Sequence, residues 1–258
     1  MNKIFRIVWS QATQSWVVVS ELTKAHKKQS SSNSQGSAVK FSGNFIKSSA
    51  IALALLSGHS AYAATAGNTA GEGYANTVAF GANSKATGGN SVALGTDAKA
   101  EKNNGVAIGK GAQSTEDSAI ALGFESKSTS NWSVAVGLQT KATNKQAVAV
   151  GSKSEATGEN SIAIGNAAKA SNESSVALGS SAESTNKYTT AVGGTAFANQ
   201  EGATALGYGA RATNKNTIAI GKLAKAEKEG VIALGSTAAA TGDDTIAIGN
   251  SATAQKNG

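Results

Sequence analysis

The stretch Ser161-Ile162-Ala163-Ile164-Gly165 decides the fold, because it recurs through the chain at a fixed interval. It returns as Ser91-Val92-Ala93-Leu94-Gly95 and as Thr245-Ile246-Ala247-Ile248-Gly249. Its glycine falls at 81, 95, 109, 123, 137, 151, 165, 179, 193, 207, 221, 235 and 249, thirteen times in steps of 14 with no insertion or deletion. A strict period of this kind marks a stacked repeat architecture. Alternation with period two before each glycine predicts a short strand. The glycine then permits a turn that other residues resist.

A second short strand follows, with small residues three and five positions after the glycine, as in Ser84 and Ala86 or Ala98 and Ala100. Polar turns such as Thr157-Gly158-Glu159-Asn160 close the unit through residues suited to side-chain-to-backbone bonding. Two strands and two turns make one flattened coil. Stacked in parallel at about 4.8 Å per coil, the coils build a solenoid roughly 60 Å long. Each coil contacts only its neighbours.

The residue two before the glycine is Ala in every repeat. The reading places the larger Val, Ile and Leu of the first strand inside, against small residues of the second. It leaves the Ala column outside, as a flat stripe along which another copy can approach closely. An apolar strand face is normally buried, so lateral self-association is expected. The period alone does not count the copies.

Composition agrees with a thin cross-section. The 258 residues include 30 Gly, no Pro and no Cys, and only 5% are aromatic. The net charge of +7 is concentrated at the start: residues 1–63 hold seven Lys or Arg and one acid, whereas residues 64–258 hold 16 and 15. That balance gives no support to nucleic-acid binding. Both histidines, His26 and His59, also lie in the first segment. The remainder therefore lacks the groups for His- or Cys-based zinc sites, thiol nucleophiles and His-dependent triads. No catalytic residue, metal ligand or cofactor site is expected.

Residues 40–63 read as a signal peptide core. Lys40 and Lys47 flank the apolar run Ala50-Ile51-Ala52-Leu53-Ala54-Leu55-Leu56, and Ala61-Tyr62-Ala63 supplies small residues for cleavage between Ala63 and Ala64. The run is too short to span a bilayer, which takes about 20 residues. Residues 1–39 form a basic extension ending in a Ser-rich linker. Residues 64–74 are a short mature start, and residues 75–258 are the solenoid.

The extension carries a resemblance. Met1-Asn2-Lys3-Ile4-Phe5-Arg6-Ile7-Val8-Trp9-Ser10 and Trp16-Val17-Val18-Val19-Ser20-Glu21-Leu22 closely resemble the extended signal-peptide region of large Gram-negative autotransporters. The 14-residue unit resembles the head repeat of YadA-like trimeric autotransporter adhesins. That resemblance implies an all-β, left-handed parallel β-roll packed as a homotrimer. It also implies export to the outer membrane or cell surface and a role as an adhesin head for host cells or extracellular matrix, with autoaggregation possible. Full-length members continue into a stalk and a membrane anchor. Neither is seen before Gly258, so a fragment or truncated product is expected, and a truncated form would be secreted or periplasmic.

Candidate ligand contacts come from outward positions. Four residues after each glycine lie Lys85, Lys99, Lys127 and Lys141, part of a broken basic stripe suited to acidic partners such as sulfated glycans. The simpler reading of the stripe is a solvated face that keeps the chain soluble. Trp132 and Tyr188 both sit five residues before a glycine, four coils apart, and are aromatic contact candidates. Their simpler reading is gap filling. The rival to an adhesin is a structural spacer or self-association module with no host ligand.

Overall fold

The three residues before each period glycine are rich in β-branched side chains and form a strand; the pair four and five residues after it forms another. The computed structural model describes residues 5–10, 15–20, 69–70 and 76–255. Within residues 76–255 it is an all-β parallel solenoid. Three-residue strands from Val78–Phe80 to Ile246–Ile248 stack into a 13-stranded parallel sheet, here sheet I. Two-residue strands from Lys85–Ala86 to Thr253–Ala254, joined by Thr69–Ala70, stack into the 14-stranded sheet II. Register is constant throughout: Val134 pairs with Val148, Ala135 with Ala149 and Val136 with Val150, and Lys127 pairs with Lys141.

With the period glycine counted as position 1, every coil has the same inside and outside. Positions 4, 6, 11 and 13 point inward; positions 5, 12 and 14 point outward. The Ala at position 13 is wholly enclosed, for example Ala93, Ala121, Ala149 and Ala205, each 0% exposed. Its neighbours at positions 12 and 14 are half-buried or exposed, so the strands alternate outward, inward, outward. This corrects the sequence expectation. The Ala column is the core, and the Val, Ile and Leu columns form the outer stripe. The physical reason is width. Sheet II also contributes only Ala, Ser and Thr inward, as at Ala98, Ala100, Ser128 and Thr140. Two strands so near each other leave room for small side chains alone. Among the described residues Val231 is the only buried apolar side chain larger than Ala.

So slender a core changes what holds the coils together. A buried methyl contributes on the order of 0.8 kcal/mol, far less than a buried Leu. The backbone ladder therefore weighs more. Between adjacent coils run Lys141 N–H to Ser154 O at 2.9 Å, Val148 N–H to Ser161 O at 2.9 Å, Gly151 N–H to Val136 O at 2.8 Å and Lys153 N–H to Leu138 O at 2.7 Å. Each such bond is worth about 0.5–1.5 kcal/mol net. Most enclosed hydroxyls are satisfied too, Thr77 Oγ1 at the first coil being an exception. Ser128 Oγ lies 2.6 Å from Ser133 Oγ and donates to the Ser133 carbonyl at 2.8 Å; Ser184 Oγ lies 2.7 Å from Thr189 Oγ1.

The turns are built on left-handed backbone at fixed positions. Positions 3 and 10 adopt φ near +55° in coil after coil, as at Asn83 (57°), Asn90 (56°) and Lys153 (58°). Asn and Asp tolerate that region best among residues with side chains, and here they also stack. Asn76 donates to Asn90 at 3.3 Å, and Asn83 donates to Asp97 at 3.0 Å.

Near the start, Phe5–Ser10 and Ser15–Ser20 pair antiparallel, in register from Phe5 with Ser20 to Ser10 with Ser15. Both segments are rich in β-branched residues, which favour strands. This strand pair falls in one of the two units of the chain, and the solenoid in the other. The apolar run at 50–56 and the cleavage position at Ala63 and Ala64 lie outside the described residues.

Candidate interaction surfaces

Sheet I presents a continuous apolar outer face. Position 12 carries Val or Ile except at Thr190 and Thr204, and position 14 carries Leu, Ile, Val or Phe. Phe80, Ile108, Ile164, Leu206 and Ile248 along it are all exposed. Phe124, Leu138 and Tyr208, at position 2 of their coils, are exposed at the adjoining turn. An exposed apolar array of this extent marks an interaction surface.

Sheet II presents the charged face. The structure places Lys85, Lys99, Lys127 and Lys141 outward on one column, as the alternation predicted. They differ in their partners. Lys141 Nζ bonds Glu155 Oε1 at 2.7 Å, and further along Lys169 approaches Glu183 at 3.8 Å. Lys85, Lys99 and Lys127 make no such ion pair. Lys127 and Lys141 line an open groove of 670 Å³, whereas Lys85 and Lys99 lie outside it. The groove also takes in Glu125, Gln139 and Lys153 from position 3, a column that the sequence analysis did not single out.

Trp132 and Tyr188 stand at position 10, on the turn at the opposite end of the flattened coil from the groove. They are 53% and 54% exposed, so they fill no gap within the single chain. Both hold the left-handed backbone of their column, φ 57° and 59°, which is costly for a bulky residue. Lys145 Nζ lies 5.4 Å from the Trp132 ring centre, and Tyr188 Oη donates to Glu173 Oε1 at 3.4 Å. Glu173 also accepts from Lys187 Nζ at 3.1 Å. That hydrogen bond, and then the carboxylate charge, hold the Lys187 ammonium pKa above its ordinary value. Among the described residues there is no group of three or more His, Cys, Asp or Glu side chains able to hold a metal ion.

A regular parallel solenoid with one apolar and one charged outer face defines the class of extended, stacked-repeat β proteins. Comparison with known proteins makes the assignment closer. The chain matches the YadA head domain repeat at residues 75–98, 99–126, 133–154, 156–182, 184–210, 212–238 and 240–258. It matches the extended signal peptide of the type V secretion system at residues 1–57. It belongs to the trimeric autotransporter adhesins with YadA-type heads, and it is an exported cell-surface protein of Gram-negative type. It is similar to the autotransporter adhesin NhhA of Neisseria meningitidis serogroup B, 61% identical over 31 residues, which cover 12% of this chain and 5% of that protein. The chain thus matches a small part of that relative's length.

Proposed function

We propose that this chain is the head of a surface adhesin that attaches a bacterium to host cells or extracellular matrix through many weak contacts. The signal peptide is removed between Ala63 and Ala64, and residues 75–258 form a left-handed β-roll that packs as a homotrimer. The observation that carries this reading is the apolar outer face of sheet I. A column of Val and Ile beside a column of Leu, Ile and Val is costly to leave in water along a whole solenoid. Packing copies of the chain face to face buries it and leaves every sheet II outside. Repeated presentation of one charged face then gives avidity without any single tight site. The role is structural and binding rather than catalytic.

Light scattering on residues 64–258, with circular dichroism alongside, tests the assembly. A β-rich trimer is expected; a folded monomer would overturn the packing. Beads coated with the exported chain test the role. Capture of purified matrix proteins supports host attachment, whereas bead-to-bead clustering alone would favour a self-association module with no host ligand.

A further inference from the structure

The groove on sheet II has a local cause in the sequence. Its two walls are the outward columns at positions 3 and 5. Along most of the solenoid position 3 is short: Asn83 and Asp97 on one side, Ala167, Ser181, Thr195 and Gly209 on the other. Only at Glu125, Gln139 and Lys153 does it carry long side chains in three consecutive coils, facing Lys127, Lys141 and Glu155 at position 5. Gly111, which has no side chain, opens one end. Two rows of long polar side chains thus flank an open groove of about 670 Å³.

The charges in these rows form a cross. The acids Glu125 and Glu155 occupy one diagonal; the lysines Lys127 and Lys153 occupy the other. The middle coil holds both acids. Gln139 Nε2 donates to Glu125 Oε2 at 2.9 Å, and Lys141 Nζ donates to Glu155 Oε1 at 2.7 Å. Lys127 and Lys153 make no ion pair, so the diagonal left for a ligand is cationic. Two coils separate them, about 10 Å along the axis. The Gln139 amide lies on the coil between them and the Glu125 and Glu155 carboxylates stand beside them, all groups that can bond hydroxyls.

We infer that this groove is a binding site for an acidic oligosaccharide, with acid groups of successive repeats on Lys127 and Lys153 and sugar hydroxyls on Gln139 and Glu125. An extended acidic polysaccharide carries its acid groups on alternate sugars, at a comparable interval. An acidic peptide is less suited, because Glu125 and Glu155 remain in the walls and repel a closely spaced run of carboxylates. The groove opens away from the apolar face of sheet I, so packing through that face leaves it accessible. The inference rests on the adhesin reading for its biological setting but not for its measurement.

The test is calorimetric titration of the exported chain with a heparin-derived tetrasaccharide, a hyaluronan tetrasaccharide, chitotetraose and a poly-glutamate peptide. Binding of one or both acidic sugars, with neither chitotetraose nor the peptide bound, is expected. The heparin and hyaluronan arms separate sulfate from carboxylate as the recognised group. Lys127→Gln with Lys153→Gln weakens binding by about tenfold or more, as loss of paired charges does, with an unchanged circular dichroism spectrum. Lys222→Gln with Lys225→Gln removes the same charge elsewhere and leaves binding intact. Equal weakening by both double variants, peptide binding as tight as sugar binding, or no binding of either acidic sugar would overturn the site. Failure of the site with matrix capture on beads intact leaves the adhesin reading standing.

Discussion

Gly151 and Gly165, one coil apart, lie so close that a Cβ on the first would stand 2.6 Å from the carbonyl oxygen of the second. Gly151 also holds φ at +122°, a conformation that side chains resist. In the glycine column the backbone of one coil therefore lies directly against that of the next, and the stacking distance leaves no space to absorb a methyl group. Gly151→Ala should destabilise the solenoid by about 3 kcal/mol or more, combining backbone strain with a backbone clash. Thermal unfolding followed by circular dichroism reads the shift. A melting point within a degree or two of the parent would mean that the coils can separate locally at little cost.

The two faces of the sheet I strand should respond oppositely to substitution. Ala149→Leu forces a large side chain into a space that fits a methyl, and over-packing costs about 1–3 kcal/mol or more. Val134→Lys with Val148→Lys changes only the outer stripe and should leave each coil folded while abolishing the assembly proposed above. Paired thermal melts and light scattering check both. An unfolded lysine variant, or an Ala149→Leu protein as stable as the parent, would mean the strand faces the other way.

Trp132 is the single tryptophan between residue 64 and the end of the chain, so its fluorescence reports on the position 10 turn alone. Because the left-handed backbone suits glycine, Trp132→Gly relieves strain while losing the Lys145 contact, worth about 0.5–1 kcal/mol at an exposed site. The two nearly cancel, and stability should change by no more than about 1 kcal/mol. In the parent the emission should be that of a solvent-exposed indole. A strongly blue-shifted emission in the assembled protein would show that a neighbouring copy covers the turn.

The raised pKa of Lys187 gives a direction for alkaline behaviour. Its hydrogen bond and charge pairing with Glu173 favour the protonated amine in the folded chain, above the ordinary value of 10.5. The contribution to stability is thus fully present below that value and fades as pH rises through the higher folded pKa. Lys187→Met should therefore reduce the difference between melting points measured at pH 8 and at the alkaline end of the range. The effect is small, because the pair is exposed. An unchanged pH dependence would mean that the pair does not persist in solution.

The period, the two strands and the outward direction of Lys85, Lys99, Lys127 and Lys141 were all legible in the sequence, because columns separated by 14 residues need no side-chain detail. The inside and outside of sheet I were not. Chemical type misled there, since Val, Ile and Leu ordinarily mark a core. Size was the better signal. Positions 4, 6, 11 and 13 hold Ala, Ser or Thr almost without exception, whereas position 14 ranges from Val136 to Phe80. Columns limited to small residues are enclosed; columns that vary in bulk face outward. The wall formed by Glu125, Gln139 and Lys153 was visible in principle along position 3, yet its meaning depends on how Gln139 and Lys141 lean toward the acids. That is a matter of conformation rather than of spacing.

The bonds between coils also set how the solenoid meets a pull. They run along its long axis, so tension applied end to end loads each hydrogen-bonded layer directly instead of shearing one sheet past another. Within one chain, a coil detached from the end releases 14 residues, about 45–50 Å of extended chain, and leaves the coils beyond it intact because its intrachain hydrogen bonds run only to the adjacent coils. Stretching by force spectroscopy should give a sawtooth of such steps, and a single all-or-none rupture would contradict it. A cell held by this protein in flowing liquid would thus hang from a progressive brake, one that pays out line a coil at a time while the far end keeps its grip.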